Sequence, residues 1–209
     1  MYGGHLVQPL QPVCPAQRAV EALRDARVRI AACLNASPDE IIFTPGGSEA
    51  DNQAILSAAR AGAQAGKRHI ISTAIEHHAV LHTLEKLERE GYEVELLDVR
   101  SNGAISAEQV ERAIREDTCL VTVMYANNEI GSIQPVSEID AVCRGKGVTF
   151  HTDAVQAAAL EEACAHMAEN TKKVSALRNR LITGLSQIPD AVLNGDPENR
   201  LPGNVNFSF

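Results

Sequence analysis

Between Pro15 and Leu34 apolar side chains recur at Val20, Leu23, Ala26, Ile30 and Cys33, the three-and-four spacing that places a stripe on one side of a helix. Residues 41–44, IIFT, are β-branched and aromatic and end at Pro45-Gly46-Gly47, so they read as a strand followed by a tight loop. A helix is expected to start near Glu49. The plan then repeats. HIIST is a strand, followed by a helix from about His78 to Arg89 that stops at Gly91. YEVELLDV is the next strand, and Ser106 with Gln109 forms a capping box for a helix running to about Arg115. CLVTVMYA, the loop NNEIGSIQP, a helix over Ser137 to Lys146 and the strand VTFHTDA complete the alternation.

Strand and helix in regular alternation predict an α/β layer around a largely parallel sheet, whose ligand site lies beyond the carboxyl ends of the strands. Four polar loops follow expected strands: GGSEADN, IEHHAV, ANNEIG and DAVQ. Topology therefore gathers them on one rim. From Ala157 to Ile188 the period is helical without interruption, through Leu160, Cys164, Met167, Thr171, Val174, Leu181 and Leu185. A helix this much longer than the average of about 11–12 residues suggests a brace or a join. The tail LNGDPENRLPGNVNFSF is turn-rich, with one alternating strand expected from Asn204 to Phe209.

Composition narrows the possible functions. A hydrophobic content of 44% in 209 residues belongs to a folded globular chain. The formal charge of −8, with Lys and Arg scattered singly, offers no patch for a phosphate backbone, so nucleic acid is not an expected partner. No apolar run approaches the roughly 20 residues that span a bilayer, and MYGGHLVQPLQ lacks the order of a signal peptide, so a cytoplasmic location is expected. The five cysteines, Cys14, Cys33, Cys119, Cys143 and Cys164, form no CxxC pair and are expected to be buried thiols. With four phenylalanines and no tryptophan, the core must be aliphatic.

The rim residues can be read in two ways each. Gly46, Gly47 and Ser48, between a strand and a helix start, can cradle a phosphate with backbone N–H groups and a hydroxyl, or they are a plain turn with a capping serine. His77 or His78 can lie against a planar ring and move a proton, or the two are a solvated pair. Asn127 and Asn128 can meet a ligand oxygen or shape a turn. Asp153 follows the apolar VTF and needs a cation or donor, for which a protonated pyridine nitrogen would serve; Gln156 could reach a neighbouring oxygen, while a helix cap is the alternative. No histidine stands at metal-ligand spacing from Cys or carboxylate, so no metal site is expected.

Together these features describe a pyridoxal phosphate site, and FTPGGSEADNQAI, IEHHAV, NNEIGSIQP and FHTDAVQAA closely resemble the NifS/IscS cysteine desulfurases, which are class V aminotransferase relatives of fold type I. The resemblance runs from about Pro15 onward and includes the tail. It implies phosphate contacts from Gly47 and Ser48, with serine where threonine is usual. His77 would stack on the pyridine ring and assist proton transfer, Asn128 would meet the ring hydroxyl, Asp153 would pair with the ring nitrogen and Gln156 would complete the set. It also implies L-cysteine as substrate, a sulfur-acceptor or scaffold protein as partner, and homodimers.

The chain departs from the family pattern in ways that matter chemically. After DAVQ the family carries a Ser-x-His-Lys motif whose lysine forms the Schiff base with the cofactor, and no such motif occurs here. Lys67, Lys86, Lys146, Lys172 and Lys173 all fall in expected helices or helix-end turns. HTDAVQAA runs straight into ALEEACAHMAEN, which resembles a helix found several dozen residues later in the family. The LDNAATT-like segment and the loop with the persulfide-forming cysteine also find no counterpart. The expected organisation is an incomplete, PLP-dependent transferase-like large α/β domain over 1–156, then the long helix and the start of a small C-terminal domain over 157–209. In the family the missing segment supplies two strands between IIFT and CLVTVMYA, so IIFT should either pair with CLVTVMYA or expose an apolar edge, with lower stability and self-association as the result. Two functional readings follow: a cysteine desulfurase making L-alanine and a persulfide for iron–sulfur or thio-cofactor assembly, or an inactive relative that keeps the cofactor rim as a scaffold or as the partner of an intact subunit.

Overall fold

The computed structural model describes residues 15–155 and 160–209, with the side chains of 15, 16, 160–166 and 168 left out. These residues form two compact units, one of 15–42 with 160–165 and the other of 43–155 with 166–209. The first holds α1 (Pro15–Leu34) and a short 3-10 turn, Pro38–Glu40, capped by Ser37 and Glu40 in a capping box.

The larger unit is built on a four-stranded parallel sheet of β1 (His69–Thr73), β2 (Glu93–Leu97), β3 (Thr118–Thr122) and β4 (Thr149–His151), in the order β2-β1-β3-β4. The two central strands are buried along their whole length, as expected of parallel strands covered on both faces. Strand alternation sorts their side chains. Ile70 and Leu120, paired in register, join Ile55, Ala59, Val80, Leu84 and Leu87 under α2 (Gly47–Gln64) and α3 (His78–Arg89). Their neighbours Ile71 and Val121 turn the other way, into the core with Val110, Ile139 and Cys143 of α4 (Ala107–Ala113) and α5 (Val136–Lys146). The result is a helix–sheet–helix sandwich whose loops beyond β1, β3 and β4 all emerge on one edge.

The expected helix limits recur closely. Gly91, at φ 87°, ends α3 in a left-handed conformation that its missing Cβ permits, and the Ser106/Gln109 capping box opens α4. The long helix is α6, Leu160–Leu185, ending one turn earlier than its period suggests. The tail strand shrinks to β6 (Phe207–Ser208), paired antiparallel with β5 (Val192–Leu193).

Three expectations are corrected. IIFT forms no strand: among the described residues β3 is flanked by β1 and β4, residues 41–44 belong to neither sheet, and Ile42 is 68% exposed. Strand propensity reflects fit to a neighbouring pleated surface and does not by itself create a strand. CLVTVMYA leaves the ladder after Thr122, and its end bends into a bridge between Ala126 and Ile133. Cys33 is exposed, as are Val20 and Leu23 of the same α1 stripe, because periodicity marks an apolar face without specifying what covers it. Cys119 and Cys143 are buried as expected, with desolvation pushing the Cys143 thiol up to about 11. Cys14 lies outside the described residues, and so does the side chain of Cys164. No described helix is long and apolar enough to cross a membrane.

Candidate cofactor site

At the carboxyl edge of the sheet lies a cavity of about 230 Å³, lined by Gly47 and Ser48 of α2, His77 before α3, Asn128 after β3 and Asp153 after β4. Five of the six expected site residues thus meet in one place; the sixth, Gln156, lies outside the described residues. The space is below the roughly 300–1,000 Å³ typical of drug-sized ligands and suits a molecule with one small ring.

Each residue arrives by a local cause. α2 begins at Gly47 with Gly46 as its N-cap, and no side chain caps it, so the capping-serine alternative is excluded: Ser48 lies inside the first turn. The first-turn N–H groups and the helix dipole are left to favour an anion. His77 is itself the N-cap of α3, its Nδ1 accepting the Ala79 amide at 3.1 Å, which requires that nitrogen to be unprotonated and leaves Nε2 as the other ring nitrogen. His78 stacks on His82 instead and lines a neighbouring surface hollow.

The two asparagines divide the alternatives between them. Asn127 is the turn former: its Oδ1 accepts the amides of Glu129 and Ile130, and its Nδ2 donates to the Ile75 carbonyl. Asn128 lines the cavity. Asp153 accepts the Val155 amide at 3.0 Å through Oδ1, and its carbonyl receives the Tyr125 amide, which locks the β4 exit against the β3 exit.

Two carboxylates escaped the sequence reading. Asp51 lines the same cavity at 5% exposure, with Oδ1 3.6 Å from His151 Nε2, while His151 Nδ1 lies 2.8 Å from Thr122 Oγ1. Its burial is legible in retrospect, because Asp51, Ile55 and Ala59 fall on one helical face at intervals of four. Glu76, inside the quoted IEHHAV, is buried behind His77; its Oε1 accepts from Thr73 Oγ1 at 2.7 Å and from the Met124 amide at 3.0 Å, and its Oε2 has no partner. Desolvation pushes its carboxyl up to about 7 against the pull of those two bonds, and the charges of Asp153 and Asp51 push the same way.

The tail buttresses the Asn128 loop, which was not legible in the sequence. Asn204 Nδ2 donates to the carbonyls of Asn128 and Glu129, and Gly131, at φ 80°, sits where a Cβ would run into Asn204. Arg200, 3% exposed, holds the tail together through the carbonyls of Asn194, Asp196 and Asn204.

Two carboxylates and no Lys or Arg line the cavity, while amide donors stand at the start of α2. This suits a ligand carrying a cationic ring nitrogen at one end and an anion at the other, which is the charge pattern of pyridoxal phosphate. No lysine is placed to anchor it. Lys67 and Lys146 precede β1 and β4, at the opposite end of the parallel sheet, Lys86 lies on α3 towards its C-terminus, and Lys172 and Lys173 are exposed on α6.

The aminotransferase class-V family model matches residues 13–163. The chain belongs to that family. It is 38% identical to the cysteine desulfurase IscS of Clostridium botulinum, covering 93% of this chain and 66% of that protein. It is 57% identical over 133 residues to the putative cysteine desulfurase IscS 1 of Bacillus subtilis, covering 64% of this chain and 35% of the relative. Among solved structures, DndA from Streptomyces lividans superposes with a TM-score of 0.88 at 30% identity, over 93% of this chain and 74% of DndA. The fold is therefore that of the family's large α/β domain. The chain spans just under two thirds of the length of the Clostridium relative. That alignment runs over 264 positions, whereas 93% of 209 residues is about 194, so about 70 of those positions face no residue of this chain.

Proposed function

We propose that this chain is a cysteine desulfurase-type protein that holds pyridoxal phosphate without a covalent link and does not complete turnover by itself. The observation that carries the reading is the cavity: it joins Gly47, Ser48, His77, Asn128 and Asp153 and has no lysine on its wall. Amide groups of Gly47 and Ser48 and the Ser48 hydroxyl would bind the phosphate, His77 would cover the ring, Asn128 would meet the ring oxygen, and Asp153 would hold a proton on the ring nitrogen, a set that the family resemblance would complete with Gln156. Bound pyridoxal phosphate supplies an electron sink for a carbanion at the substrate α-carbon. In the family reaction L-cysteine becomes L-alanine while its sulfur passes to a cysteine thiolate and then to an acceptor protein. That sequence needs a lysine to anchor the cofactor and carry protons, together with an accessible nucleophilic thiolate.

We place the gap after DAVQ, because HTDAVQAA resembles the cofactor-site segment and ALEEACAHMAEN a helix that comes several dozen residues later in the family; on this reading the large domain ends near 156 and the remnant of a small domain covers 157–209. The missing lysine would lie in that gap. Pairing with a complete subunit, as a homodimeric family allows, would restore the chemistry. Otherwise the chain acts as a cofactor-binding scaffold.

The test is to mix the protein with pyridoxal phosphate, record its absorbance, reduce with borohydride and weigh the product by mass spectrometry. The expected result is a perturbed cofactor spectrum that is weakened by Asp153→Ala, with no stoichiometric adduct. A stoichiometric adduct on one lysine would overturn the non-covalent reading, and an unperturbed spectrum at saturating cofactor would overturn binding altogether.

A further inference from the structure

Glu76 stands where the His77 loop, the end of β1 and the exit from β3 meet. It directly precedes His77, accepts the hydroxyl of Thr73 at the end of β1, and accepts the amide of Met124, a cavity residue beyond the end of β3. One oxygen, Oε1, receives both bonds, while Oε2 is sealed from solvent without a partner in a residue only 6% exposed. A neutral carboxylic acid tolerates this arrangement: its carbonyl oxygen has two lone pairs for the two donors, and only one O–H goes unmatched. A carboxylate does not, because its second oxygen would carry buried charge with no donor.

The charges acting on this group make ionisation harder still. Asp51 from α2 and Asp153 beyond β4 are both acidic, and no Lys or Arg lines the cavity. The nearby histidines are His77, adjacent in the chain, and His151, whose Nε2 faces Asp51. His78, also on this loop, is stacked on His82.

We infer that Glu76 is a positioning residue that, while protonated, clamps the His77 loop to the end of β3, and that on losing its proton to solvent it releases that loop and opens the ring-covering side of the cavity. The inference extends the cofactor-binding reading, but its structural half stands without any cofactor. It differs from simple packing because it ties the order of the loop to one proton.

Two amides report the clamp directly: Met124, which donates to Glu76, and Ala79, which donates to His77. Hydrogen exchange at both, corrected for the intrinsic pH dependence, is measured from about pH 5.5 to about pH 8.5, with pyridoxal phosphate titrations at the same pH values. In the native protein protection at both amides is expected to fall about tenfold or more across this range, in step with the loss of the buried proton. In Glu76→Gln, which keeps an acceptor oxygen and cannot ionise, protection stays level and cofactor affinity loses the corresponding part of its pH dependence. Thr73→Val removes the hydroxyl bond that favours the carboxylate, so its release shifts to higher pH. Exchange that follows this pattern without cofactor binding would keep the clamp and remove the cofactor reading. Cofactor binding with exchange identical in the native protein and Glu76→Gln would overturn the clamp.

Discussion

The guanidinium of Arg200 donates through Nη2 to the carbonyl of Ile130 at 3.1 Å, fastening the tail to the loop that presents Asn128. The same side chain serves the carbonyls of Asn194, Asp196 and Asn204. Removing it leaves several carbonyls half-buried without a donor. Arg200→Ala is expected to lose about 2–4 kcal/mol of stability in urea unfolding, with the resonances of Asn128 and Glu129 broadened before global unfolding. Arg200→Lys should recover only part of the loss, since one ammonium cannot reach acceptors spread around a planar fork. Native-like stability in Arg200→Ala would show that the tail holds without its hub.

Glu76 predicts how global stability follows pH. Its carboxyl is raised in the folded protein from about 4.5 to about 7, so the folded state binds the proton more tightly than the unfolded state. The stabilisation is fully present below about pH 4.5, declines as the unfolded chain sheds its proton, and is gone above about pH 7. At about 1.4 kcal/mol per pH unit, the component amounts to roughly 3 kcal/mol. Glu76→Gln should lack it, so the difference between the two proteins in urea unfolding should change across that window. A difference independent of pH would mean that Glu76 titrates normally.

At Gly62 α2 comes so near β3 that an added methyl would run into Cys119 Cβ and Sγ. Alanine is the better helix former by about 1 kcal/mol, yet overpacking against a buried strand costs about 1–3 kcal/mol. Gly62→Ala should therefore be destabilising by about 1–2 kcal/mol in chemical denaturation, because the overlap falls on a Cβ that cannot rotate away. A gain in stability would show that α2 can slide outward at no cost.

Exposed apolar residues predict association. Met167, Val174, Leu177 and Leu181 make a stripe along α6, and Leu177 and Leu181 line a shallow groove on it. A contiguous exposed apolar stripe of this kind marks an attachment surface. In sedimentation equilibrium the mass should rise from 22.4 kDa towards a multiple with concentration, and Leu177→Glu with Leu181→Glu should return it to the single-chain value. A mass that stays at one chain throughout would refute this.

Much of the fold is legible in the sequence because it rests on local rules. The apolar period of α1, the expected helices α2, α3 and α5, the Ser106/Gln109 box and the glycine stop at Gly91 each rest on signals within a few residues, and each recurs in the structure. Alternation of strands and helices determined that His77, Asn128 and Asp153 would emerge on one edge, since parallel strands send all their exits the same way, whereas Gly47 and Ser48, expected there after a strand that does not form, reach the same cavity at the start of α2. The resemblance on those same loops named the chemistry. Tertiary structure alone decided what depends on distant partners. IIFT has every local mark of a strand and is none, because a ladder needs a neighbour. Asn127 and Asn128 are the same residue type side by side, and only the carbonyl of Ile75, 52 residues earlier, selects the first as the turn former. Glu76 reads as a solvated acid beside two histidines until folding brings Met124 onto it and closes off water; burial and long-range pairing, which no local pattern encodes, turn it into the most perturbed carboxyl at the site.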